Sequence, residues 1–114
     1  MKRFGQTIQL KPEGAEAYKK YHAQAWPGVL KMISECNIQN YSIWCSGLTL
    51  FAYFEYVGNN FESDMARMAA DKETQRWWDT VKPLMQPFDD LNPGEFWSDM
   101  EEIFYFTPNP LKGA

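Results

Sequence analysis

Residues 38–56 read IQNYSIWCSGLTLFAYFEY, from Ile38 to Tyr56. Two runs rich in aromatic and aliphatic residues flank a loop around Ser46, Gly47 and Leu48. In the first run, Ile38 to Ser46, strand geometry puts Tyr41, Ile43 and Cys45 on one face and Asn40, Ser42 and Trp44 on the other. The second run extends from Thr49 to Tyr56, and Gly58-Asn59-Asn60 breaks it. Two strand-length runs separated by a short loop containing glycine predict a β-hairpin.

Elements on either side of this hairpin set the topology. Upstream, Phe4 to Leu10 reads as a strand with Phe4, Ile8 and Leu10 on one face, ended by Lys11-Pro12-Glu13-Gly14. A helical pattern follows from about Glu13 to Cys36, with Tyr18, His22, Val29 and Ile33 on one stripe. Pro27 interrupts it, because a proline cannot donate to the carbonyl four residues earlier, so the helix should kink or restart near Trp26. Downstream, Phe61 to Ala70 reads as a helix, and Asp71 is placed to cap another from Lys72 to about Val81. Pro83 and Pro87 open a loop running to Gly94, and a last strand is expected over about Trp97 to Phe106.

The resulting order, β-α-β-β-α-β with the second helical unit split, is that of an α+β, ferredoxin-like domain: an antiparallel sheet of four strands with helices on one face. At 114 residues the whole chain, 1–114, makes a single domain. The uncovered sheet face carries aromatic side chains, which are costly to leave wet. A two-fold homodimer packing sheet on sheet would bury it.

Composition narrows the function. The formal net charge is −4 with a pI near 4.9, so the basic footprint that nucleic acid requires is absent. The longest apolar run, Leu50 to Phe54, falls far short of a membrane span. The N-terminus turns polar at once, unlike a secretory signal. Cys36 and Cys45 show neither metal spacing nor a redox motif and read as free thiols of a reducing, cytoplasmic compartment. With one histidine in the chain and no glycine-rich phosphate loop, neither a metal nor a nucleotide cofactor is expected. Aromatics make up 17% of the residues, more than a core this size needs, which points to a subunit interface or a pocket for sugars or rings.

His22 is the one side chain whose ordinary pKa lies near neutrality, and it falls on the apolar stripe rather than the lysine-bearing face. Packing alone would explain such a histidine. Tyr18 one turn earlier and the break at Pro27 add a neighbouring hydroxyl and room for a ligand. Trp77 and Trp78 are adjacent on a helix, so their side chains diverge by about 100° and cannot both enter one core equally. One should anchor the helix, and the other could offer its flat face to a sugar ring. Tyr41 supplies another phenol, which is also an ordinary sheet residue. Glu101-Glu102 places one carboxylate on each face of the expected last strand, so one of them could be buried.

Four blocks, in this order and separation, resemble the L-rhamnose mutarotase family. They are Tyr18-Lys19-Lys20-Tyr21-His22 followed by Trp26-Pro27; Asn40-Tyr41-Ser42-Ile43; Gln75-Arg76-Trp77-Trp78; and Glu101-Glu102-Ile103-Phe104-Tyr105. The resemblance runs from Phe4 to Pro108. It implies a dimeric α/β-barrel of ferredoxin-like protomers that interconverts the anomers of a monosaccharide without a cofactor. It also implies a histidine acid/base at His22 and substrate contacts at Tyr18, Tyr41, Trp77 and Trp78. Ala23-Gln24-Ala25 and the aromatic stretch Phe51 to Gly58 depart from the rhamnose enzymes towards a subgroup acting on L-fucose, so both 6-deoxyhexoses stay open. Two other readings suit the same scaffold: a cofactor-independent monooxygenase, and a non-enzymatic dimer that binds a small ligand.

Overall fold

In a computed structural model that describes residues 1–108, the chain forms an antiparallel sheet with its helices on one face. Strand β1 is Lys2–Leu10. A tight helical turn at Pro12–Gly14 leads into α1, Ala15–Ala23, and then α2, Pro27–Glu35. The hairpin is β2, Ile38–Ser46, and β3, Thr49–Tyr56. Helices α3, Phe61–Ala70, and α4, Lys72–Val81, follow. Two short strands complete the sheet, β4 at Met85–Gln86 and β5 at Ser98–Met100. The strand order is β2-β3-β1-β4, with β5 on the same edge of β1 as β4, which is the ferredoxin-like arrangement expected from the element order.

The hairpin forms because its loop chemistry agrees with its pairing. Ser46 pairs with Thr49, leaving Gly47-Leu48 as a two-residue turn, and Gly47 takes the positive φ of +62° that such turns need at their first position. On β3, Leu50, Ala52, Phe54 and Tyr56 point inward and are buried. On β1, Ile8 and Leu10 join them, and Val29, Trp77 and Val81 close the core from the helices.

The long helical pattern divides where Pro27 required it. Trp26 is extended, as the residue before a proline must be, and Pro27 starts α2 at a position where its missing N–H costs nothing. Asp71 caps α4 by accepting from the Thr74 amide at 2.9 Å, as expected.

Three details differ from the sequence reading. The fourth sheet position is shared by two strands, and β4 lies inside the stretch expected to be loop. The last strand is three residues long, not ten. Gly5 pairs with Met100, so only Lys2, Arg3 and Phe4 of β1 remain beyond that register, too few to template a strand as far as Phe106. Glu101 and Glu102 are both exposed, since that segment has left the sheet, and Glu102 is bound to Arg3 at 2.7 Å. The third detail is a bulge in β2: Gln39 pairs with Glu55 but Ser42 pairs with Tyr53, so Asn40 and Tyr41 together face Phe54.

Candidate active site

The turn that leads into α1 is held against Lys82–Leu84, the turn that follows α4, by close backbone approach. A Cβ added at Gly14 would lie 2.8 Å from the carbonyl oxygen of Leu84, so only glycine fits between them. This contact sets α1 on the sheet with Tyr18 and His22 turned inward. Tyr18 is buried, and its ring lies under the imidazole of His22 with centroids 4.0 Å apart and planes at 26°. The imidazole Nδ1 is 2.9 Å from the carbonyl oxygen of Tyr18. A carbonyl only accepts, so Nδ1 carries the proton and Nε2 keeps its lone pair in the neutral ring. Burial lowers the His22 pKa below its usual range, partly offset by that hydrogen bond. At neutral pH the ring is therefore an uncharged base with Nε2 as its basic atom.

Trp77 walls off the other side. Its ring meets His22 edge-on at 5.0 Å and Trp26 edge-on at 5.1 Å, and it is buried. Trp78 diverges as the helix requires and is only half-buried. The Lys82 ammonium sits 4.8 Å from the centre of the Trp78 ring and 5.1 Å from that of Phe96. Tyr41 reaches in from β2, its ring 5.5 Å from that of Phe54; the side chain is 42% exposed, open to the cleft, and the protein packed around it raises the pKa of its hydroxyl. The Tyr18 hydroxyl is raised as well, first by burial and then by the neighbouring Tyr41 and Cys45 groups.

His22, Tyr41, Trp77 and Trp78 line one cleft of about 620 Å³ between the helices and the sheet. Tyr18 does not line it; its ring and carbonyl support His22 from behind. Gln6 and Lys82 also line the cleft, and the sequence reading missed both. Each left a signal. Gln6 lies at an inward position of β1, between Phe4 and Ile8, where a polar side chain needs a reason. Lys82 follows Trp78 by four residues, one helical turn on. Among the described residues, no aspartate or glutamate lines the cleft, so its polar chemistry rests on an imidazole, an ammonium, an amide and hydroxyl and indole groups.

Such a cleft offers flat apolar faces for the C–H surface of a ring, a few donors for hydroxyls, and one neutral base. Among the described residues, no three His, Cys, Asp or Glu side chains are grouped so as to hold a metal ion. Both thiols, buried Cys36 and exposed Cys45, are free.

Similarity to known proteins agrees with this chemistry. A family model described as L-rhamnose mutarotase matches residues 3–106. The L-rhamnose mutarotase of Lactiplantibacillus plantarum is 32% identical over 107 residues, covering 92% of this chain and 98% of that protein. That of Bacillus subtilis is also 32% identical, with the same coverage of 92% and 98%. The crystal structure of an L-rhamnose mutarotase from Formosa agariphila superposes with a TM-score of 0.73 at 26% identity, covering 94% of this chain and all of that one. A tetracenomycin F2 cyclase from Streptomyces glaucescens shares the fold alone, with a TM-score of 0.71 at 13% identity over 96% of this chain and all of the cyclase.

Proposed function

The chain belongs to the L-rhamnose mutarotase family, and from that membership and the cleft around His22 we propose that it interconverts the α and β anomers of L-rhamnose by acid/base catalysis. The observation that supports this reading is the placement of His22: its Nδ1 is 2.9 Å from the Tyr18 carbonyl oxygen, and its side chain lines a cleft walled by aromatic rings.

A pyranose changes anomer by opening, turning about the C1–C2 bond and closing. On opening, the C1 hydroxyl loses its proton, C1=O forms as the bond from C1 to the ring oxygen breaks, and the ring oxygen gains a proton. Nε2 of His22 takes the first proton and becomes imidazolium, which then delivers a proton to the ring oxygen. Both oxygens are bonded to C1, so one imidazole can serve each in turn. Closure on the other face reverses the transfers. No covalent intermediate, metal or cofactor enters this scheme. A positioned base of this kind contributes roughly 10²–10⁴-fold.

Binding falls to the rings and hydroxyls. The half-buried Trp78 presents an aromatic face to the sugar, Trp77 closes the wall behind the base, and Tyr41 and Gln6 meet hydroxyls. Tyr18 acts on the sugar through its hold on His22. The methyl group of a 6-deoxy sugar suits an apolar wall. L-rhamnose is preferred over L-fucose because the relatives above carry the rhamnose name. The working form is a homodimer in which the outer sheet face and the segment after Met100 are covered by a second copy, and the enzyme acts in the cytoplasm.

Saturation-transfer NMR on equilibrated L-rhamnose and L-fucose tests the reading directly, because it reads anomer exchange without a coupling enzyme. Faster exchange of L-rhamnose than of L-fucose is expected. Exchange of neither sugar above the uncatalysed rate would overturn it. Oxygen uptake with an electron-rich aromatic compound, in place of exchange, would instead point to a monooxygenase.

A further inference from the structure

Strand β2 begins with Ile38 facing the core, and strict alternation from there would turn Asn40 inward and Tyr41 outward. The bulge reverses this. Asn40 takes a left-handed backbone with φ of +49°, so Gln39 and Asn40 both lie on the outer face and Tyr41 turns into the cleft. Left-handed backbone costs about 1 kcal/mol or more in most residues, with asparagine more tolerant than others, so it persists where its surroundings hold it. The holding group here is Glu55. One of its oxygens accepts from Asn40 Nδ2 at 2.8 Å and from Gln39 Nε2 at 2.9 Å. The other accepts from the Tyr53 hydroxyl at 2.6 Å.

We infer that Asn40 and Glu55 are positioning residues of the active site: the carboxylate of Glu55 clamps the bulge at Asn40, and the bulge aims Tyr41 into the sugar cleft. This deepens the proposed function and rests on Tyr41 being part of the sugar site.

Three donors on one carboxylate exceed what a hairpin needs, since the flanking pairs of β2 and β3 already form a continuous ladder on either side. These donors also hold the Glu55 carboxyl below its usual range, the Tyr53 hydroxyl first, so the clamp stays anionic at neutral pH. The Tyr53 hydroxyl is correspondingly pushed up to about 12, by burial first and then by this hydrogen bond. All of this lies on the opposite face of the sheet from the cleft. Glu55 and Asn40 thus act on the site only through the direction of Tyr41.

Backbone conformation separates the possibilities. Asn40→Val excludes the left-handed region, whereas Asn40→Gly keeps it and loses only the amide side chain. Each full-length variant is measured for anomer exchange and for the NOE between the rings of Tyr41 and Phe54. The NOE reports the aim of Tyr41 whether or not any sugar is turned over. Asn40→Val should lose the NOE and raise KM about tenfold, the worth of one oriented hydrogen bond, with a smaller effect on kcat. Asn40→Gly should keep the NOE and recover most of the exchange. Glu55→Gln, a milder change, should weaken the NOE and raise KM. In a Tyr41→Phe background, Asn40→Val should add little to the KM already lost. An NOE that survives in both Asn40→Val and Glu55→Gln would overturn the clamp. A lost NOE with unchanged KM would uphold the clamp and remove Tyr41 from the sugar site. If Asn40→Val does not fold, Glu55→Gln against wild type decides the question alone.

Discussion

Tyr18 holds His22 at two points, with its ring 4.0 Å beneath the imidazole and its carbonyl oxygen 2.9 Å from Nδ1. The first contact fixes the plane of the ring, and the second fixes which nitrogen is basic. Exchange should therefore follow the neutral form of His22. Because burial lowers its pKa below 6.5, the rate should be on its plateau at neutral pH and fall only on further acidification. His22→Ala should fold and lose about 10²-fold or more of the catalysed exchange. Saturation-transfer NMR across a pH series checks both points, and a wild-type rate in His22→Ala would leave the histidine as packing.

The same lowered pKa ties stability to pH. The unfolded histidine titrates near 6.5 and the folded one below it, so between the two values the unfolded chain binds more protons. Stability should be unaffected by this group above about pH 6.5 and should decline as pH falls through that window. Asp64, Asp71 and Glu55, also lowered, act from the ordinary carboxylate range downward and so do not overlap it. Urea midpoints at pH 5.5 to 8 should fall on acidification in the wild type and less so in His22→Asn. Parallel curves for the two proteins would mean that the imidazole titrates normally.

Local signals carried most of the fold. The hairpin at Gly47, the restart at Pro27 and the cap at Asp71 each depend on a few adjacent residues whose backbone preferences agree with the tertiary structure. The bulge at Asn40 was not legible in this way. Asparagine permits the left-handed backbone, but what demands it is Glu55 on the neighbouring strand, known only once the register is known. Likewise β4 exists because Leu10 offers Met85 an edge, which its own two residues do not announce. At the site, His22 stood out as the sole histidine, and the Trp pair stood out by repetition. Gln6 and Lys82 enter the cleft from β1 and from just past α4, a convergence that spacing along the chain does not display.

Asp71 ends α3 and starts α4, where its carboxylate accepts from both the amide and the hydroxyl of buried Thr74, each at 2.9 Å. That turn precedes the Trp pair. Asp71→Ala should cost about 1 kcal/mol of stability, the usual worth of an N-cap, and Asp71→Asn much less. Chemical denaturation measures this. Equal stability of Asp71→Ala and wild type would show that packing alone fixes the start of α4.

The outer sheet face and the segment beyond it leave Trp44 68%, Ile103 87% and Phe104 82% exposed. Large apolar side chains this open are candidates for a contact surface, and two-fold pairing is the commonest way to cover one. Sedimentation of the wild type at micromolar concentration should give a dimer. Ile103→Asp combined with Phe104→Asp should shift it towards monomer. A wild-type monomer under those conditions would remove the homodimer from the proposed function.

The two tryptophans should separate stability from binding. Trp77 is buried and meets three aromatic rings edge-on, those of Tyr21, His22 and Trp26. Trp77→Phe shrinks a packed ring and opens a void beside the base, which should cost about 1–3 kcal/mol of stability. It should also slow exchange in the folded fraction by loosening His22. Trp78 is half-buried, with the cleft on one side and Lys82 4.8 Å from its ring. Trp78→Phe keeps a flat face but loses the indole N–H and part of the area, so melting should change little. Affinity for L-rhamnose should then fall about tenfold if one hydrogen bond is lost. Thermal melts with tryptophan fluorescence titrations read both quantities. Equal sugar affinity in wild type and folded Trp78→Phe would take Trp78 off the substrate and leave binding to Tyr41 and Gln6.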